Sequence, residues 1–252
     1  MPGSPLTADD MMTIAAARTL HGRRACFVGI GLPSIAANLA RATTTPDVVL
    51  IYESGTIGSK PPHPPLSIGD GVLADTADAV VSTPEIFNYW LQAGRIDVGF
   101  LGAAQIDRFA NLNTTHIGGT YHQPKVRLPG AGGAPEIAAS CAETVVVVRH
   151  SRRTFVDKLD FTTSVGHGSG PGSREKLGLP GRGPVQVITD LGILEPHPQT
   201  LELTVTSTHP GIEVDEIRHA TGWPISISPN VVTTAEPTDA EITALRRLTA
   251  HS

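Results

Sequence analysis

Apolar residues along the chain fall into two kinds of run, and the two kinds alternate. "MMTIAAARTL" carries them at helical spacing behind Thr7, with Asp9 and Asp10 in the first turn, so a helix is predicted that Gly22 ends. "ACFVGIG", Ala25 to Gly31, is a short continuous apolar run and reads as a buried strand that stops at the Gly-rich turn "GIGLP". "SIAANLARAT" returns to helical spacing, and Val48 to Tyr52 is again a buried strand. Strand, helix, strand over about 30 residues implies a right-handed parallel crossover.

The same reading predicts strands at Val80 to Ser82, Val98 to Gly102 and Thr144 to Arg149. "TPEIFNYWLQAG" is predicted as a helix capped by Thr83, with Glu85 in its first turn and Gly94 at its end. Residues 184 to 195 and 201 to 206 read as strands, and "DEIRHATG" and "TDAEITALRRL" as late helices. The Gly/Pro/His-rich section 163 to 184 is a loop excursion. The expected fold class is α/β, an open, mainly parallel sheet flanked by helices. No repeat or linker divides the chain, so one domain over residues 1 to 252 is expected.

Composition narrows the partners. Hydrophobic residues make up 40% of the 252, enough for a large core. A net charge of −5 and no basic patch beyond "RHSRR" argue against nucleic acid. No apolar run nears the roughly 20 residues of a membrane helix, and "MPGSPLTADDMM" lacks a basic stretch followed by an apolar one. The two cysteines, Cys26 and Cys141, match no metal spacing and are expected as buried thiols in a reducing cytoplasm. The ten histidines are scattered, so no metal site is expected.

Three loops and one turn carry candidate chemistry. "VVLIYESGTIG" runs a core strand straight into a carboxylate, Glu53, followed by the small residues Ser54 and Gly55. A carboxylate fixed at a strand end can attack an activated acyl carbon, act as a general base, or close a salt bridge. "LPGAGGAPEIAAS" sets Gly130, Gly132 and Gly133 before a predicted helix. Successive N–H groups there can converge on one oxygen, as in an oxyanion hole, or simply form a turn. "GAAQIDRFANLNTTHIGG" follows a strand with Gln105, Asp107, Asn111 and Asn113, residues that scaffold loops and can line a site. The turn at Gly31 can present N–H groups at a helix N-terminus.

Taken together and in order, "VGIGLPSIAANLAR", "PDVVLIYESG", "GAAQIDRFANLNTTHIGG", "HQPKVRLPGAGGAPEIAAS", "DFTTSVG", "GPGSREKLGLPGRGP" and "VITDLGIL" resemble the β subunit of class I CoA-transferases, the glutaconate CoA-transferase type most of all. The resemblance spans roughly residues 28 to 194. It implies the open α/β fold that this family shares with some sugar-phosphate isomerases. It also implies an α subunit as partner, in a heterodimer or α2β2 assembly, with an acyl-CoA and a carboxylic acid as substrates. Coenzyme A then enters as a substrate moiety, and no permanently bound cofactor is expected. The family's E-S-G motif falls on Glu53, Ser54 and Gly55, which makes Glu53 the nucleophile that ends as a glutamyl-CoA thioester. The family's Gly-rich loop falls on Gly130 to Ala134, with Gly130, Gly132, Gly133 and Ala134 as oxyanion or acyl-binding residues. Gly31, Gln105 and Asn111 join Ser54 and Gly55 as near-site residues. Glutaconate and 3-oxoadipate stay open as substrates. An acyl-CoA or ring-opening hydrolase on the same fold, as in steroid-ring degradation, is the alternative, and a non-catalytic ligand-binding subunit is a second.

Overall fold

The computed structural model describes residues 6–250; the two ends of the expected 1–252 domain, with the first residues of "MPGSPLTADDMM", lie outside them. Helix α1 (Ala8–Arg18) starts as predicted: Asp10 N–H donates to Thr7 Oγ1 at 3.1 Å and Thr7 N–H to the Asp10 carboxylate at 2.8 Å. Strand β1 (Ala25–Phe27), α2 (Leu32–Ala42) and β2 (Val49–Ile51) form the crossover unit, with β1 and β2 parallel. Then follow β3 (Thr56–Ile57), α3 (Gly71–Asp75), β4 (Ala79–Val80) and α4 (Thr83–Glu85).

The predicted helix over "TPEIFNYWLQAG" differs in two ways. Its cap is Ser82, whose hydroxyl accepts from Glu85 N–H, and Ile86–Leu91 winds as a π-helix. Gln92 N–H reaches back to Phe87 O at 2.8 Å and Arg95 N–H to Trp90 O at 3.0 Å. Such wide turns are rare and are found frequently at functional sites. Gly94, at φ +68°, stops the helix as expected.

Beyond β5 (Val98–Leu101) come the short pair β6 (Gln105–Ile106) and β7 (Leu112–Asn113), and the hairpin β8 (His116–Gly119) with β9 (Pro124–Arg127). Helix α5 (Ala134–Ser140) leads into β10 (Glu143–Val147). The loop excursion is present but holds one short helix, α6 (Ser173–Lys176). The chain ends in β11 (Pro184–Ile188), β12 (Gly192–Pro196), β13 (Leu203–Thr208), α7 (Val214–Ala220), β14 (Ser226–Thr233) and α8 (Asp239–Thr249).

Ten strands make one sheet in the order β14-β13-β12-β11-β10-β5-β1-β2-β3-β4. Its centre, β2-β1-β5-β10-β11, is all parallel, and the antiparallel pairs lie to either side. The stretch between β11 and β12, three residues at 189–191, is too short for a crossover and forces an antiparallel turn. The central strands alternate between two cores. Phe27, Ile51 and Val146 face the π-helix, α5 and α7, where Ile86, Ile137 and Ile217 meet them. Cys26, Leu50, Val145 and Val147 face α1, α2 and α8 through Met12, Leu39 and Leu245.

The strand order reverses at β1. Chain growth from β1 to β2 moves one way along the sheet, and β5 then lies on the other side of β1. In open α/β sheets ligands bind at such a reversal, beyond the carboxyl ends of the strands. The loops at Gly29–Gly31, Glu53 and Gly102–Ala104 all leave from those ends.

Candidate active site

Glu53 sits in a tight turn anchored on both sides. Tyr52 N–H donates to Thr56 O at 3.1 Å, and Gly55 N–H to Tyr52 O at 3.0 Å. The Tyr52 ring is fully buried, and its hydroxyl lies 3.2 Å from Ser34 Oγ and 3.4 Å from Asn38 Nδ2, both on α2. Gly55 has φ +102°, and a Cβ there would come within 1.9 Å of Val81 O, so only glycine fits. The turn is therefore rigid, and the half-buried Glu53 is held on it. The buried hydroxyl of Ser54 beside it has no hydrogen-bond partner among the described residues.

The glycine loop meets Glu53 from the opposite side. Gly133 N–H donates to Glu53 Oε1 at 3.1 Å. The φ of Gly133 is an ordinary −84°; glycine is needed for space instead. A Cβ on it would stand 2.5 Å from Glu53 Oε1 and 2.6 Å from the tip of the Phe87 ring. Phe87 is fixed by the π-helix and packs against Phe27 at 5.8 Å between ring centres. Ahead of Gly133, Thr114 straps the loop: Gly130 N–H donates to Thr114 O at 2.9 Å and Thr114 Oγ1 to Gly130 O at 2.8 Å. Ala134 N–H is spent on Ala131 O at 3.1 Å. Of the loop's N–H groups, those of Ala131 and Gly132 find no acceptor among the described residues. Sequence reasoning passed over Ala131, because alanine carries no backbone signal, and it passed over Phe87 and Thr114.

The remaining expected residues are dispersed. Gly31, at φ +85°, caps α2, and its carbonyl accepts from Ser34 and Ile35 N–H. Asn111 is buried and braces a neighbouring loop: its amide donates to Asp107 and to Gly168 O, while its Oδ1 accepts from Gly166 and Gly168 N–H. Asp107 lies behind it, its carboxyl pushed up by burial. Gln105 is buried too, bonded to Asp160 at 2.7 Å and to Asn113 at 2.7 Å. Both side chains are thus committed to scaffolding and not turned to Glu53.

Helix α5, which carries Gly133 at its start, is fixed at its other end by Arg174. This buried guanidinium donates to Ala138 O, Ala139 O, Gly166 O and Gly181 O, at 2.8–3.3 Å. Among the described residues it forms no ion pair, and burial lowers its pKa from the usual range. Among the described residues no three His, Cys, Asp or Glu side chains are grouped to hold a metal, and no helix is long and apolar enough to cross a membrane.

A carboxylate on a strand-end turn with one N–H donor on it, on a loop with two further N–H groups open, is an arrangement that acyl transfer can use. Residues 10–220 match the family described as Coenzyme A transferase, and the chain belongs to that family. It is one subunit of a CoA-transferase, with the fold that the sequence led one to expect. It is 62% identical over 249 residues to the B subunit of 3-oxoadipate CoA-transferase from Pseudomonas knackmussii, covering 99% of this chain and 95% of that one. It is 36% identical over 230 residues to the B subunit of glutaconate CoA-transferase from Acidaminococcus fermentans, covering 88% and 85% of the two chains. The crystal structure of the enzyme from that organism matches with a TM-score of 0.90 over 96% of this chain and 94% of that one, at 33% identity. The cholesterol ring-cleaving hydrolase IpdB subunit of Rhodococcus jostii is 27% identical over 232 residues, 86% of this chain and 81% of its own.

Proposed function

We propose that this chain is the β-type subunit of a two-subunit enzyme that moves CoA between an acyl-CoA and a short dicarboxylic acid, with 3-oxoadipate favoured over glutaconate, and that Glu53 is its nucleophile. The observation that carries the proposal is the Gly133 N–H donated to Glu53 Oε1 at 3.1 Å, on a turn that has room only for glycine at position 55. The preference for 3-oxoadipate is supported by the 62% identity to a protein of that name, against 36% for the glutaconate enzyme. The α partner is supported by the subunit naming of both relatives and by how open the site is: Ala131 and Gly132 are exposed, and none of the described residues roofs them. We take the chain as one domain, supported by the continuous ten-stranded sheet, and as a protein of the reducing cytoplasm, supported by two buried, unpaired thiols.

In the reaction, a Glu53 oxygen attacks the thioester carbonyl carbon. The C–S bond breaks, CoA leaves as thiolate, and a mixed acyl–glutamyl anhydride remains. The open N–H groups of Ala131 and Gly132 are free to donate to the negative charge that builds on the acyl oxygen. The thiolate then attacks the Glu53 carbonyl carbon, the C–O bond to the acyl group breaks, and the first acid departs. A second carboxylate reverses these steps on the enzyme–CoA thioester.

The test is borohydride trapping of the chain co-expressed with its α partner and incubated with 3-oxoadipyl-CoA. Glu53 as nucleophile predicts a peptide about 14 Da lighter, from reduction of the glutamyl thioester to an alcohol. Release of CoA with an unmodified Glu53 would mean that water is the nucleophile and would reject the transferase mechanism.

A further inference from the structure

A cavity of about 410 Å³ lies around Glu143, but Arg23 and Arg182 already neutralise that carboxylate. A second, of about 420 Å³, is backed by Arg174, whose donors are spent on backbone carbonyls. The third, of about 610 Å³, is different. One of its walls is Gly130 and Ala131, so it adjoins the glycine loop whose Gly133 touches Glu53.

Its polar side chains are Arg127, Tyr121 and three threonines, each able to donate. Arg127, at the end of β9, lies with its guanidinium carbon 5.0 Å from the centre of the Tyr121 ring and donates one N–H to Tyr121 O. Among the described residues it has no ion-pair partner, and no Asp or Glu lines the cavity. Across from it, Thr115 Oγ1 and Thr163 Oγ1 are 2.7 Å apart, and Thr163 Oγ1 also accepts from Thr114 N–H at 2.9 Å. One hydroxyl hydrogen is used between the two threonines, so one is left to donate outward. Tyr121 and Phe161, at 5.9 Å between ring centres, form an apolar flank.

Both walls are tied to one hub. Gln105 bonds Asp160, which precedes Phe161, by two hydrogen bonds. It also holds Asn113, whose amide in turn holds His116 O at the start of β8. An unpaired guanidinium, a spare hydroxyl and an apolar flank suit a short chain that ends in an anion.

Resting on the transferase reading, we propose that this cavity receives the remote carboxylate of the transferred acid, and that Arg127 is its charge partner. A phosphate would satisfy the same donors. In CoA, however, the phosphates lie a whole pantetheine arm from the sulfur, whereas the remote carboxylate of a short diacid is a few bonds from the reacting one. A cavity adjoining the glycine loop fits the second distance.

The test uses the purified complex with its α partner, charged as the enzyme–CoA thioester and presented with 3-oxoadipate or 3-oxohexanoate. The two acids differ only in the remote carboxylate. In Arg127→Met the ratio of kcat/KM for the diacid to that for the monoacid falls by about tenfold or more, and Arg127→Lys restores part of it. Tyr121→Ala, which removes the platform under the guanidinium, lowers the same ratio. Calorimetry with free 3-oxoadipate shows weaker binding to Arg127→Met. An unchanged ratio in a wild-type-active complex overturns the Arg127 assignment alone. So does a loss confined to the acyl-CoA half-reaction, which would assign Arg127 to a CoA phosphate. No exchange by the wild-type complex with any acid would reject the transferase reading and this proposal with it.

Discussion

The N–H of Gly133 and the Oε1 of Glu53, 80 residues apart in the chain, are 3.1 Å apart in space. No side chain fits between them, since a Cβ on Gly133 would come within 2.5 Å of that oxygen. Gly133→Ala must push Glu53 or Phe87 aside. The expected result is a loss in kcat on the order of 100-fold with secondary structure intact, read from steady-state kinetics and circular dichroism.

Glu53→Gln keeps the shape of the side chain and removes the nucleophile. CoA exchange should fall on the order of 1000-fold or more while the complex still assembles. Full activity in the purified variant complex would reject Glu53 as the reacting group.

Gly55→Ala acts on the turn and not on the chemistry. Its methyl would stand 1.9 Å from Val81 O at a φ of +102°. Stability should drop by about 2–4 kcal/mol, measured by urea unfolding, and activity should fall with it.

Arg174→Met leaves the carbonyls of Ala138, Ala139, Gly166 and Gly181 without their donor. A destabilisation on the order of 3 kcal/mol or more is expected, with hydrogen exchange rising first in α5 and in residues 165–181.

Three of the buried histidines tie stability to pH. Burial depresses His150 to about 3 and lowers His167 and His209 from the ordinary 6.5. Each is therefore protonated more readily in the unfolded chain than in the folded one. Below pH 6.5 the unfolded state binds the proton first, so stability present at neutral pH is lost as pH falls. For His150 the loss continues down to about pH 3, at up to about 1.4 kcal/mol per pH unit. Its ring stacks on Phe155 at 3.7 Å and bonds Thr221 at 2.9 Å. His150→Phe should flatten the pH dependence of the unfolding midpoint between pH 6.5 and 4; an unchanged slope would mean that this histidine does not carry it.

Much of the scaffold was legible because local rules and tertiary demands agree along it. Thr7 caps α1, Gly94 ends the π-helix, and the apolar runs at residues 25–27 and 49–51 are parallel core strands. Where signals were short or non-local, reading failed. The strands β6 to β9 are two to four residues each, too brief for a periodicity. Residues 226–233 of β14 lack alternation because they form an exposed sheet edge. A π-helix has the same local composition as an α-helix, and the wider hydrogen bonds that define it, such as Gln92 N–H to Phe87 O, exist only in the folded chain.

The sequence by itself determined the layered α/β scaffold, the carboxylate at the end of a buried strand and the glycine-rich turn at residues 130–133. Each follows from neighbours in the chain: apolar period, caps and residues that tolerate φ above zero. Tertiary structure alone decided which N–H groups remain open, that Gly133 is the one to touch Glu53, and that Gln105 and Asn111 brace loops. Those outcomes depend on hydrogen bonds between segments tens of residues apart, such as Gln105 to Asp160 and Asn111 to Gly166, and the order of residues along a chain does not say which distant donor reaches an acceptor first.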